Sequence, residues 1–284
     1  MSKIIALVDG SLYAQSVCDH AAWIAQKTGC GVDVMHVLGR RQTAGASANL
    51  SGSIALGARS ALLEELSTHD EQTAKLAHKR GRAILDDAKA TIETAGVTAV
   101  TTRLRLGDLM DEVADGEADA DMVVIGKRGE AADFAKLHLG SNLERIARAC
   151  HKPLFVASRA FKPIERFLIA YDGGPSSMKA VGHVARSALF AGLPCRLLMV
   201  GSDNAKNRRG LDDAAVTLKA SGYTVDTAIV QGQTDTVIAQ AVAAHNVGLL
   251  VMGAYGHSRI RSLIIGSTTT AMVRECKIPV VLCR

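Results

Sequence analysis

Leu249-Leu250-Val251-Met252-Gly253-Ala254-Tyr255-Gly256, followed by nine residues and then Gly266-Ser267-Thr268, is the stretch that decides how this chain folds. The four apolar residues before Gly253 read as a buried strand. Beyond Ser267, the apolar residues Met272, Val273 and Cys276 recur at helical spacing. The order is therefore strand, glycine loop, small hydroxyl residues, helix. That order suits an anion. Glycine lets the backbone come close to a ligand, and a helix start offers unpaired N–H groups at the positive end of a dipole. Ser267, Thr268 and Thr269 either cap that helix or donate to phosphate oxygens. In a single copy, a loop that merely caps a helix explains the pattern equally well.

The loop occurs twice. Gly126-Lys127-Arg128-Gly129 follows Met122-Val123-Val124-Ile125, and Gly140-Ser141-Asn142 comes after ten intervening residues. Arg148 to Val156 matches Arg274 to Leu282, with a constant offset of 126 residues from Gly140/Gly266 through Pro153/Pro279. Each half also opens alike: Lys3 to Ser11 resembles Arg166 to Gly174, at an offset of 163 residues. Internal repetition of this kind means a tandem of two homologous domains, expected over 1–158 and 164–284. The linker Ser158-Arg159-Ala160-Phe161-Lys162-Pro163 is short, so the domains should pack closely.

Composition narrows the class. Of 284 residues, 48% are hydrophobic but only 4% aromatic, so the core must come from Val, Ile, Leu and Ala, as in parallel sheets covered by helices. No apolar run reaches the roughly 20 residues of a membrane span. The N-terminus leads straight into a strand, so no signal peptide is expected and a cytoplasmic location follows by default. A net charge of +5 with few aromatic stacking partners disfavours nucleic-acid binding. The six cysteines show no C-x-x-C spacing and read as small buried hydrophobes.

The first strand spans 3–8. Asp9-Gly10-Ser11 ends it, with Ser11 the expected N-cap of a helix that Gly29 closes. Val32 to Leu38 is the second strand. The first repeat then carries an insertion at about 39–80. Gln42 to Arg59 is rich in Ala, Gly and Ser, whereas 60–95 reads as helical, with Leu62, Leu63, Leu66, Leu76, Ile84, Leu85 and Ile92 as its apolar positions. A surface extension, a lid and a dimer contact are the three uses open to it. A third strand (97–106), a helix (109–118), the glycine loop and a fifth strand (153–157) follow. The second half repeats them at 224–230, 236–244 and 279–283. The expected class is α/β: two doubly wound domains, each a five-stranded parallel sheet with helices on both faces. Asp9 and Asp172 then sit at the carboxyl ends of parallel strands, where open α/β sheets bind ligands.

Taken together, the strand-end Asp and the loop G-x-x-G-x9-G-S/T resemble the universal stress protein family, in tandem. The resemblance covers the chain apart from the insertion, and the second half carries the full pattern. It implies Rossmann-like domains and ATP or AMP as ligand, with Mg²⁺ as the accompanying ion. Gly256, Gly266, Ser267 and Thr268 would then contact phosphates, Asp172 and Val200 would border the adenosine, and Met252 and Gly253 would line the same pocket. Arg259 either adds charge to the phosphates or faces solvent. The matching first-half positions are Asp9, Val37, Gly126, Gly129, Gly140, Ser141 and Asn142. That half departs from the pattern in its ten-residue spacing and in Asn142, which replaces a hydroxyl; Lys127 and Arg128 add positive charge there. Phe134, Leu137 and Leu139, like Ile260, Leu263, Ile264 and Ile265, are loop residues that pack on the partner domain in one reading. Asp9 and Asp172 are the only candidates for holding a metal near the phosphates.

The implied function is a stress-response module that binds adenine nucleotide and reports to an unknown protein partner. There is no Walker lysine and no clear general base, so at most a slow ATPase is expected. The alternative is an interaction protein needing no nucleotide, whose apolar fifth strands pair antiparallel across a domain or chain interface. Two domains in one chain suit an internal pseudo-dimer, with a further homodimer of whole chains open.

Overall fold

A computed structural model describes residues 2–39, 56–129, 141–254 and 267–284, with the backbone alone described at 56–63, 141, 267 and 268. The first repeat contains β1 (Lys3–Leu7), α1 (Ala14–Thr28), β2 (Gly31–Leu38), α2 (Leu56–Thr94), β3 (Val100–Leu106), α3 (Leu109–Glu117), β4 (Met122–Gly126), α4 (Ser141–Ala149) and β5 (Leu154–Ala157). The second contains β6 (Phe167–Tyr171), α5 (Pro175–Arg186), β7 (Cys195–Val200), α6 (Ala205–Ala220), β8 (Val225–Val230), α7 (Thr234–Ala244), β9 (Leu249–Gly253), α8 (Ser267–Glu275) and β10 (Val280–Cys283). A short 3-10 turn, Ala188–Phe190, follows α5.

Within each repeat the five strands are parallel, as their apolar runs predict. The two sheets are not separate, however. They join into one ten-stranded sheet in the order β3-β2-β1-β4-β5-β10-β9-β6-β7-β8. The seam is antiparallel and pairs Val156 with Val280, Phe155 with Val281 and Leu154 with Leu282. Both seam strands are buried along their whole length. A strand that is apolar on both faces and unpaired along one edge is stable only when that edge is covered. Here each domain covers the other, in the antiparallel fifth-strand pairing foreseen for the interaction-protein reading.

Alternate strand residues feed two cores. Ile4, Ala6 and Val8 pack with α1, α2, α5 and α6 on one face, while Ile5 and Leu7 join α3, α4, α7 and α8 on the other. The outer strands β3 and β8 are more exposed and carry Thr101, Arg103, Arg105 and Asp226, as edge strands do.

Two expectations need correction. Helix α1 begins at Ala14 rather than directly after Ser11. The Ser11 N–H donates to Asp9 Oδ1 (3.0 Å) and its hydroxyl accepts from the Tyr13 N–H (3.2 Å), which stabilises an extra turn before the helix. The expected helix over 60–95 is a single helix of 39 residues, against 16 in its counterpart α6. Leu85 and Ile92 are buried and Ile84 packs on their cluster, but Leu76 is 66% exposed. Among the described side chains of α2, the buried positions are Gly81, Leu85, Ala88 and Ile92, so its last turns rest on the sheet. The cysteines behave as read: all six thiols are free, five of them buried and Cys276 half-buried.

Candidate functional site

In both repeats, strand order reverses beside the first strand: β1 lies between β2 and β4, and β6 between β7 and β9. The crevice beyond the carboxyl ends at such a point is where doubly wound sheets bind ligands. In the first domain this crevice is an open cleft. It brings together Asp9, Val37, Gly126, Gly129 and Asn142, contributed by β2, β4, α4 and the turns after β1 and β4.

The glycines are there because side chains press on them. A Cβ on Gly129 would lie 2.8 Å from Asp9 Oδ2, and one on Gly126 would lie 2.7 Å from the Cβ of Tyr13. The turn after β4 therefore closes on the turn after β1. His36 stands at the back of the cleft, with its Nδ1 2.8 Å from the Val8 carbonyl. A carbonyl only accepts, so Nδ1–H is the donor in that contact. Met35, Leu109 and Leu143 add apolar wall, and Arg128 lines the rim of the glycine turn.

The second domain repeats the frame. Asp172 follows β6, and its Oδ1 accepts from the Gly174 N–H (2.8 Å) and the Ser177 hydroxyl (2.6 Å). Val200 ends β7, while Met252 and Gly253 end β9, on the two strands that flank β6. A Cβ on Gly253 would meet Ser176 Cβ at 2.7 Å. Ser176 is the repeat counterpart of Tyr13, so the same helix start presses on the same glycine in both domains, through serine in one and tyrosine in the other. Ser141 and Ser267 begin α4 and α8, and Thr268 follows Ser267. Gly140, Gly256, Arg259, Gly266 and the apolar loop residues Phe134, Leu137, Leu139, Ile260, Leu263, Ile264 and Ile265 lie outside the described residues.

Two polar side chains turn away from the role foreseen for them. Thr269 is buried, and its hydroxyl donates to the Gly253 carbonyl (3.4 Å), tying α8 to β9. Lys127 leaves its own loop altogether. It is 6% exposed, and its ammonium donates to the carbonyls of Cys276 and, at 3.4 Å, Ile278 in the other domain. Burial lowers its pKa to about 8. Helix-end carbonyls at the negative end of a dipole attract it more than a place in the loop does. Tyr13 and His36 were not foreseen: neither belongs to a spaced motif, and the turn before α1 brings the first to the cleft while the register of β2 brings the second.

Among the described residues, no group of three or more His, Cys, Asp or Glu is placed to hold a metal ion, and no helix is long and apolar enough to cross a membrane.

The profile of the universal stress protein family matches residues 1–158 and again residues 163–284. The chain belongs to the universal stress protein family. It is 39% identical to a universal stress protein of Synechocystis sp. over 287 residues, covering 100% of both chains. Its fold is similar to that of a universal stress protein from Archaeoglobus fulgidus, with a TM-score of 0.69 at 20% identity, over 99% of this chain and 98% of that one. It is also similar to a functionally unknown protein from Pseudomonas aeruginosa PAO1, with a TM-score of 0.62 at 14% identity, over 100% and 92% of the two chains. Two universal stress protein domains in one chain, joined at β5 and β10, form a pseudo-dimer.

Proposed function

We propose that this universal stress protein binds adenine nucleotide, ATP or AMP, at the carboxyl ends of its strands and serves the stress response as a regulatory or protective module. The observation that carries the proposal is the first-domain cleft, where Asp9, Val37, Gly126, Gly129 and Asn142 converge. It opens at the switch point of the first repeat's strand order, where doubly wound sheets take ligands. Its donor set also suits a nucleotide. Met35, Val37, Leu109 and Leu143 offer apolar surface to a base, and Asp9 offers a carboxylate to an amine or ribose hydroxyl. The two glycines of the turn from Gly126 to Gly129, the Arg128 cation and the start of α4 suit phosphates, with Mg²⁺ as their counter-ion. In the second domain the corresponding residues are Asp172, Val200, Met252 and Gly253, with Gly256, Arg259, Gly266, Ser267 and Thr268 assigned by the family's loop pattern. We take the functional units as residues 1–158 and 164–284, in a cytoplasmic protein.

The test is isothermal titration of the full chain with ATP, alongside Gly129→Val. Wild type should bind, and the variant should lose one site, because its side chain runs into the Asp9 carboxylate. Equal binding by the two proteins overturns the first-domain assignment.

One observation favours a second use. The turns of α2 over 64–80 are largely exposed, with Leu76 facing solvent. That surface suits a protein partner or a second chain, independently of nucleotide. Loss of the self-association or partner binding of the whole chain on Leu76→Glu, with ATP affinity unchanged, would support it.

A further inference from the structure

Both walls of the first-domain cleft are tied to the second domain. One wall is the turn after β4, where Gly126, Arg128 and Gly129 face the cleft. Lys127, between them, sends its side chain the other way, across the seam. Its ammonium reaches the Cys276 and Ile278 carbonyls just past the end of α8. The Cys276 N–H closes α8 on the Met272 carbonyl (2.8 Å), so the Cys276 carbonyl lies beyond the helix's own ladder and takes its donor from elsewhere.

The other wall is α4, which brings Asn142 and Leu143 to the cleft. Its far end is held from the second domain too. Arg284, just after β10, donates through Nη1 to the carbonyls of Arg148 (2.8 Å) and Ala149 (3.4 Å). Each domain's last helix therefore ends on a cation from its neighbour, but the cations come from unrelated positions. The repeat counterpart of Lys127 is Ala254, whose N–H bonds the Cys283 carbonyl of its own domain (2.7 Å). The glycine turn of the first domain is thus anchored through the second domain, whereas β10 anchors the equivalent point of the second domain.

We infer that Lys127 and Arg284 are positioning residues for the first-domain nucleotide cleft, and that this cleft takes its binding shape only when docked on the second domain. The inference rests on the nucleotide reading above. A loop displaced by even an ångström loses much of its fit to a ligand, and removing a buried donor leaves helix-end carbonyls unmatched.

ATP titration of the full chain tests this with Lys127→Met, Arg284→Ala, Gly129→Val and the double variant Gly129→Val/Lys127→Met. Lys127→Met and Arg284→Ala should each weaken one class of ATP site by about fivefold or more and leave the other within about twofold. In the Gly129→Val background, adding Lys127→Met should change nothing further, a separation that general loss of stability does not produce. Should Lys127→Met fail to fold, Arg284→Ala carries the same test through the opposite wall. Wild type that binds no ATP overturns the proposed function and this inference together. Wild type that binds two ATP, with both single variants unchanged, overturns the inference and leaves the function standing.

Discussion

His20 and His183 occupy the same position in the two repeats, and each holds a buried Nε2 with no partner among the described residues. His20 is fully buried. Its Nδ1 lies 2.6 Å from the Ser16 carbonyl, and its ring packs on Phe155 of the seam strand and on Phe161 of the linker, at centroid distances of 5.3 and 5.1 Å. Ser16 completes the contact by donating to the Ser158 carbonyl (2.7 Å). Helix α1 thereby holds the linker through one serine and one histidine.

Burial lowers the pKa of both imidazoles below their ordinary value, and the Arg186 charge adds to the effect at His183. The sign follows from proton counting. Below about pH 6.5 the unfolded chain takes up protons that the folded protein refuses, so stability falls with pH until the folded pKa values are reached. The melting temperature should drop between pH 7 and pH 5. In His20→Phe the drop should be shallower, read as the slope of Tm against pH. An unchanged slope would mean that His20 does not resist protonation.

Two glycines should respond in opposite directions to alanine. Gly253→Ala places a Cβ 2.7 Å from Ser176 Cβ and 3.0 Å from the Ser177 nitrogen, so it should cost about 1–3 kcal/mol through overpacking. Gly210 lies inside α6, and the nearest atom to its added Cβ is Tyr171 Oη at 3.7 Å. Gly210→Ala should stabilise by about 0.5–1 kcal/mol, because alanine loses less entropy in a helix. Urea denaturation of both variants measures the two signs.

Much of this was legible in the residues. Paired offsets gave the tandem, and unbroken apolar runs gave parallel strands buried on both faces. The fused sheet was harder, because the apolar edges of Leu154–Ala157 and Val280–Cys283 demand a cover without saying whether it lies in the same chain. Lys127 misled for a physical reason. Local charge beside a glycine loop suggests phosphate, yet the side chain is directed by helix-end carbonyls about 150 residues away in sequence. Helix α2 was visible as a period, but which of its turns reach the sheet depends on tertiary packing and not on that period.

The repeats also exchange a charge pair. On β2 and β3, Asp33 pairs with Arg103; on β7 and β8, Arg196 pairs with Asp226, with the signs reversed. Exposure separates their costs. The Asp33 side chain is 5% exposed and the Asp226 side chain 64%. Arg103→Ala should destabilise by about 3 kcal/mol, since it strands the buried Asp33 carboxylate. Arg196→Ala leaves the Asp226 carboxylate in water, so loss of that pair should cost no more than about 1 kcal/mol. Comparable losses in chemical denaturation would contradict the assignment of Asp33 as the buried partner.

The most direct test of the central claim is to denature the freshly purified protein and identify what it releases by mass spectrometry and ultraviolet absorbance. Nucleotide binding predicts ATP or AMP at about one or two per chain, with Gly129→Val releasing less. A protein that releases no adenine nucleotide, and whose melting temperature does not move with millimolar ATP, would contradict the claim and leave a nucleotide-independent interaction module as the account of this fold.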